Sequence, residues 1–210
     1  MRVICLLLSF ASGTLVFQSC QVCSCKKVPC PAFNDPEFIN WFPYTPDQKT
    51  IFRYNLLTDT ITIGRLEKSE AYEAGKGCYH GDIGCNMRYH VYSQEMLSNY
   101  SYKFTVNFGS QTPFESSVTT RSFSLKFYTF ICDANDINSE GLLLKPGIFS
   151  SHYYPSLNIA GSVYNNVQLI IKDTTNSSNK MAGPYKIYLA KNQGMIGYED
   201  YPALRTWIKQ

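Results

Sequence analysis

Four cysteines stand within eleven residues near the start of the chain: Cys20, Cys23, Cys25 and Cys30 in CQVCSCKKVPC. Thiols so spaced can bind a soft metal, cycle between dithiol and disulfide, form structural disulfides, or carry a lipid. A structural zinc site normally combines two close pairs. The second pair here is Cys78 and Cys85, with six residues between them, too wide for a knuckle. A redox pair needs a helix N-terminus to depress its thiol pKa. Cys20–Gln21–Val22–Cys23 instead opens a stretch without periodicity that carries Pro29 and Pro31. No metal and no cofactor is expected.

The residues before these cysteines decide the matter. Met1 and Arg2 precede the apolar run VICLLLSFASGTLVF. Its 15 residues fall short of the roughly 20 that cross a bilayer as a helix. A charged start, an apolar core and small residues form the layout of a secretory signal. Ala11–Ser12–Gly13 offers one cleavage point. VFQSC offers another, as a lipobox with Ser19 before an acylated Cys20, although Phe17 departs from the usual aliphatic residue. Lipidation at Cys20 is the preferred expectation, because each buried acyl CH₂ contributes about 0.8 kcal/mol and several chains anchor a domain stably. The partner is then the lipid bilayer. The chain divides into a signal peptide (1–19), a lipid-anchored tether (20–32) and one β-rich domain (33–210).

With Cys20 acylated, Cys23, Cys25, Cys30, Cys78, Cys85 and Cys132 remain. An even number in an oxidising compartment fits three disulfides. Cys78 and Cys85 bracket YHGDIG and form a local candidate pair, while Cys132 is a candidate partner for Cys30 or another tether cysteine.

Catalytic signatures are scarce. Of the three histidines, His80 lies two residues from Asp82 inside the Cys78–Cys85 loop, an acid–base pair on paper and a polar loop tip in the simpler reading. His90 sits in an alternating strand, and His152 follows serines without a G-x-S-x-G elbow. No phosphate loop or H-E-x-x-H pattern occurs. An enzyme is not expected. The formal charge of +3 becomes +2 without Arg2, too small a field to point to nucleic acid.

What remains is a β framework. SYKFTVNF (101–108) places Tyr102, Phe104, Val106 and Phe108 on one face, and RSFSLKFYTFI (121–131) repeats the alternation with Phe123, Leu125 and Phe127. Further strands are expected at 50–56 and 59–67 around a Leu57–Thr58 turn, and at 162–173, 185–191 and 204–210. Short connections argue for antiparallel meanders, not βαβ units. The fold class expected is mainly β, an antiparallel meander forming a barrel, half-barrel or sandwich with little helix. SQEMLSNY (93–100) and LEKSEAYEAG (66–75) are the weak helical stretches. DANDINSEG and NQGMIGYED read as turn clusters.

SCKKVPCPAF after the lipobox, INWFPYTPDQKTIFRY, DTITI, and IYLAKNQGMIGYED before Trp207 together resemble small lipoproteins of the Bacteroidota. Asn192 and Gln193 stand where that pattern has a glycine-bearing turn, and Gly194 is retained. The resemblance implies a lipid-anchored β domain without an established activity. QVCSCKK lacks acids after Cys20, which in such proteins implies a periplasm-facing position on the outer membrane. Two roles follow. A binding or adaptor module would meet an envelope protein partner through Tyr153, Tyr154, Tyr198 and Tyr201, tyrosine being favoured at interfaces. A carrier would hold an apolar or lipid ligand against Tyr102, Phe104, Phe108, Phe123 and Phe127, residues that otherwise fill a core.

Overall fold

The computed structural model describes residues 35–45, 47–72, 85–97, 100–111, 120–175 and 182–210, with backbone alone at 61–72, 85–104, 110–111 and 120. A single short helix precedes twelve strands among these residues. Helix α1 (Pro36–Trp41) is started by Asp35, whose Oδ1 accepts from the Phe38 N–H at 3.0 Å, and by Pro36, preset for the first turn. Six residues are too few for a helix to stand on propensity. It holds because Phe38 and Trp41 are buried.

The strands are β1 (Lys49–Tyr54), β2 (Leu57–Tyr72), β3 (Cys85–Leu97), β4 (Tyr100–Gln111), β5 (Thr120–Phe127), β6 (Phe130–Asn138), β7 (Gly141–Leu144), β8 (Phe149–Ile159), β9 (Ser162–Lys172), β10 (Gly183–Ala190), β11 (Gly194–Tyr201) and β12 (Arg205–Lys209). Their order is β7-β6-β5-β4-β3-β2-β1-β12-β11-β10-β9-β8, and every pairing is antiparallel. The mainly β, antiparallel expectation holds. β1 meets β12 over only two register pairs, Phe52–Lys209 and Arg53–Ile208. That narrow seam joins a limb of β1–β7 to a limb of β8–β12.

The limbs fold toward each other as a sandwich. Edge strands β7 and β8 do not pair, so the sheet is not closed into a barrel. Phe127 on β5 meets Tyr198 on β11 edge-on at 5.0 Å, and Phe130 on β6 meets Phe149 on β8 at 4.8 Å. A side chain substitutes for a strand at one point: the Gln168 amide accepts from the Leu142 N–H and donates to the Leu142 carbonyl, both at 2.8 Å. Gly141, at φ +109°, is required there, because a Cβ would lie 2.3 Å from Gln168 Oε1. α1 plugs the interior: Phe38 packs on Phe108 at 4.9 Å, and Phe42 on Phe123 at 5.0 Å.

Several local expectations are corrected. The first hairpin turns at Asn55–Leu56, because Asn55 takes φ +52° and leaves Leu57 and Thr58 in β2. The 121–131 run is two strands, broken where Tyr128 adopts φ +54°. Residues 66–72 and 93–97 are strand, not helix, since long antiparallel pairing of β2 with β3 outweighs local composition. NQGMIGYED is mostly strand β11, and DANDIN completes β6.

Candidate functional site

β10 is buried on both faces, and that double burial creates the site. Ile187 and Leu189 point into the interior between the limbs. Tyr188 and Ala190 point the other way, yet they too are buried, in a second cluster with Ile159, Val167, Ile196 and Ile208. The cover comes from the β8–β9 hairpin. Pro155 lacks an N–H to donate, and opposite it Asn166 takes φ +53°. Tyr153 Oη donates to Asn166 Oδ1 at 2.7 Å, and the Lys191 N–H donates to the Asn166 carbonyl at 3.1 Å. The hairpin bends there, so its tip lies back over the outer face of β10, β11 and β12. Without that bend Leu157 would be several strands away from Thr206 in the plane of the sheet.

Between tip and sheet lies an open pocket of about 370 Å³. Leu157, Ile159 and Leu169 form its apolar walls, and Tyr154, Asn158 and Thr206 its rim. At its end stand Tyr188 and Glu199, which β10–β11 pairing holds side by side. Glu199 accepts from Tyr188 Oη at 2.5 Å on Oε1, and from Tyr185 Oη at 2.7 Å and Lys186 Nζ at 2.9 Å on Oε2. The Lys191–Gln193 turn, where Asn192 and Gly194 both take positive φ, sets Ala190 opposite Gly194, and a bulge at Ile196 then shifts the pairing by one residue so that Lys186 faces Glu199.

The electrostatics fix every member in its ordinary protonation state. Burial would raise the Glu199 pKa, but hydrogen bonds from Tyr188, Lys186 and Tyr185 outweigh it and hold the carboxyl below its usual range. Burial and then the Glu199 carboxylate push Tyr188 and Tyr185 upward. Burial works against the Lys186 ammonium, and Glu199 more than compensates, so its pKa rises. A ligand in the pocket therefore meets a carboxylate oxygen with a free lone pair, a phenol oxygen whose proton is already donated, and aliphatic walls.

None of these residues except Tyr154 was singled out by sequence reasoning. The available signal was YKIY facing YED across a short turn; counting outward from that turn alone sets Lys186 against Tyr198, and the bulge at Ile196 that moves it to Glu199 has no mark in the sequence. Phe108, Phe123 and Phe127 do lie on a buried inward face, at 2% exposure or less, and they contact α1 and Tyr198. Tyr102 and Phe104 are on β4 with side chains outside the described residues. Tyr198 is corrected as a surface residue: it is 3% exposed, because a bulge at Ile196 resets the alternation of β11 and turns Tyr198 inward. Tyr153, Tyr154 and Tyr201 are half-buried.

Cys132 is a free thiol at 1% exposure on the inward face of β6, its pKa pushed up to about 12 by burial and then by Asp133. Cys85 opens β3 with its side chain outside the described residues, and His152 is exposed on β8. Cys20, Cys23, Cys25, Cys30, Cys78, His80 and Asp82 also lie outside the described residues. Among the described residues no group of three or more His, Cys, Asp or Glu is placed to hold a metal, and no helix is long and apolar enough to cross a membrane. No family model, curated protein or solved structure matches the chain.

Proposed function

We propose that the protein is an envelope lipoprotein, anchored through Cys20 to the outer membrane and facing the periplasm, whose β domain is a binding module. Its ligand is amphipathic: a short apolar body between Leu157, Ile159 and Leu169, with a hydrogen-bond-donating head directed at Glu199 and Tyr188. The observation that carries the binding reading is the open pocket of about 370 Å³, lined by Leu157, Ile159 and Leu169 together with Tyr188 and Glu199. Pockets of 300–1,000 Å³ with apolar linings and a few fixed polar groups are the usual form of small-ligand sites.

Two features favour binding over catalysis. The Glu199 network holds each proton where it already prefers to be, so it offers neither a base nor an acid poised near neutral pH. The network also ties Glu199 to three donors, a rigid recognition surface. The inward aromatics are a poorer carrier site, since α1 packs directly against Phe108 and Phe123.

The reading is tested by titrating the protein with hexylamine and with hexanoate while following side-chain NMR shifts. Saturable shifts at Leu157, Ile159, Leu169 and Thr206 are expected with the amine and not with the acid. Leu157→Trp, which fills the pocket from the β8–β9 tip and leaves β10, β11 and β12 unchanged, should abolish them, and Glu199→Gln should weaken them about tenfold. Shifts that never saturate, or that ignore both substitutions, would overturn the proposal.

A further inference from the structure

The two ends of the sheet carry chemically opposite turns. In an antiparallel meander successive turns alternate ends, so those following odd-numbered strands share one end. That end displays Leu56 (99% exposed) and Leu57 (50%) after β1, Tyr128 (40%) after β5, Ile148 (40%) after β7 and Leu204 (60%) after β11. The β1–β12 pairing puts the turns of Leu56 and Leu204 side by side. The described turns at the opposite end are Asn138–Ser139–Glu140–Gly141, Ala160–Gly161 and Lys191–Asn192–Gln193, all polar or small, and the exposed apolar residues near that end, Val163, Leu143 and Ile39, lie on strands or on α1 instead of on turns. Single exposed apolar residues scattered over a surface need no explanation. Four on turns at one end, with Leu57 beside the first of them, do, since Asn, Asp and Gly are the ordinary choices there.

Cations flank these turns. Arg53, Lys126 and Lys145 are exposed beside the β1, β5 and β7 turns, against one exposed carboxylate among the described residues there, Asp173. We propose that this end of the domain rests on an anionic bilayer, with Leu56, Leu57 and Leu204 entering the acyl boundary and Arg53, Lys126 and Lys145 among the headgroups. A bilayer fits better than a protein partner. The side chains protrude singly from separate turns, Leu56 with almost no contact to the rest of the molecule, and a fluid phase can close around such tips.

The contact is distinct from an acyl anchor. Asp35, where the described chain begins, lies at the opposite end: Asn40 of α1 accepts from the Asn192 N–H at 2.5 Å, and Trp41 donates to the Asn138 carbonyl at 3.0 Å. The fifteen residues from Cys20 to Asn34 can reach at most about 50 Å. An eleven-residue strand such as β9 rises only about 36 Å. An anchor at Cys20 and the apolar turns can thus engage one bilayer together.

Hydrogen exchange of the full chain, free and on phosphatidylcholine vesicles containing phosphatidylglycerol, tests this. Amides at 54–58, 127–130 and 202–205 should slow on the vesicles, while those at 138–141 and 191–194 should not. The slowing should persist in Cys20→Ser, which removes the acyl site and leaves this surface intact. Leu56→Asp with Leu204→Asp, both at exposed positions, should remove the slowing and lower vesicle partitioning of the Cys20→Ser chain at least tenfold, with an unchanged urea midpoint. Slowing confined to the opposite turns, or partitioning indifferent to the two aspartates, would overturn the proposal.

Discussion

Consecutive residues of β11 belong to two tyrosine–carboxylate pairs set back to back, and the pairs are built on different principles. Tyr198 points inward and donates to Asp59 Oδ2, in a short hydrogen bond, while Asp59 Oδ1 has no partner among the described residues. Glu199 points outward and accepts three donors. The inward pair is sealed: Asp59 is 1% exposed, and Tyr198 is stacked on Trp207 at 5.8 Å with Phe52 and Phe127 against its edges. The outward pair borders an open pocket, where solvent or a ligand can still reach a spare lone pair. A carboxylate held by one bond in the core serves register, tying β2 to β11. A carboxylate held by three bonds at a surface is fixed in orientation with one side open to solvent.

The same substitution on the two pairs separates them most sharply. Tyr198→Phe removes the only donor among the described residues to a buried carboxylate and should cost about 3 kcal/mol, read as a lower denaturant midpoint. The double variant Tyr198→Phe with Asp59→Leu should recover much of that loss, because no charge is then stranded. If the double variant is as unstable as the single one, packing of the ring and not the hydrogen bond explains the loss.

Glu199→Gln comes next in size. It keeps an acceptor but loses the charge that Lys186 and the two phenols recognise, a change of about 2 kcal/mol near neutral pH. The pH dependence follows from the sign of the shift. Glu199 titrates below its ordinary 4.5 in the folded protein. Its contribution is therefore present above 4.5 and is lost as pH falls through the lower folded value. Urea midpoints measured downward from pH 6 should decline more gently in Glu199→Gln than in the parent. An identical decline would mean that the network does not favour the ionised form. Tyr188→Phe, leaving Tyr185 and Lys186 in place, should cost only about 1 kcal/mol, a third of its counterpart on the inner face.

How far the sequence discloses these pairs depends on the strand. β9 and β10 are legible because Val167–Ile171 and Ile187–Ala190 carry dense β-branched and apolar residues bounded by turn chemistry. β11 is hidden by its glycines. Gly194 serves the turn at φ +71°, while Gly197 lies within strand because a Cβ would meet the Trp207 carbonyl at 2.7 Å. Sequence alone cannot tell a turn glycine from one demanded by a neighbouring backbone. β8 is hidden by Ser150, Ser151 and Pro155, tolerated in an edge strand and here part of the bend that makes the pocket. The inward run Val106, Phe108, Phe123, Leu125 and Phe127 is visible from alternation, and the aromatic density of FNDPEFINWFPY (33–44) points to packing on the domain, but not to which face Phe38 and Phe42 would cover. That contact is set by a six-residue helix whose composition alone would not predict it.

The smallest effect tests whether the inner pair is as poorly satisfied as it looks. Thr50 on β1 is 6% exposed, and its Oγ1, like Asp59 Oδ1, has no partner among the described residues. Register sets Thr50 opposite Ile61 and Phe52 opposite Asp59, so Thr50 and Asp59 are diagonal neighbours on one face. Thr50→Val keeps the shape and the strand preference while removing an unsatisfied hydroxyl. Leaving such a group buried costs about 1–3 kcal/mol, so the variant should gain up to about 1 kcal/mol in urea unfolding. A loss of that size would mean instead that a buried water joins Thr50 Oγ1 to Asp59 Oδ1, since only a bonded hydroxyl is costly to delete. The inner carboxylate would then have its second donor, and the contrast with Glu199 would reduce to one of access, with Asp59 sealed and Glu199 open to a ligand.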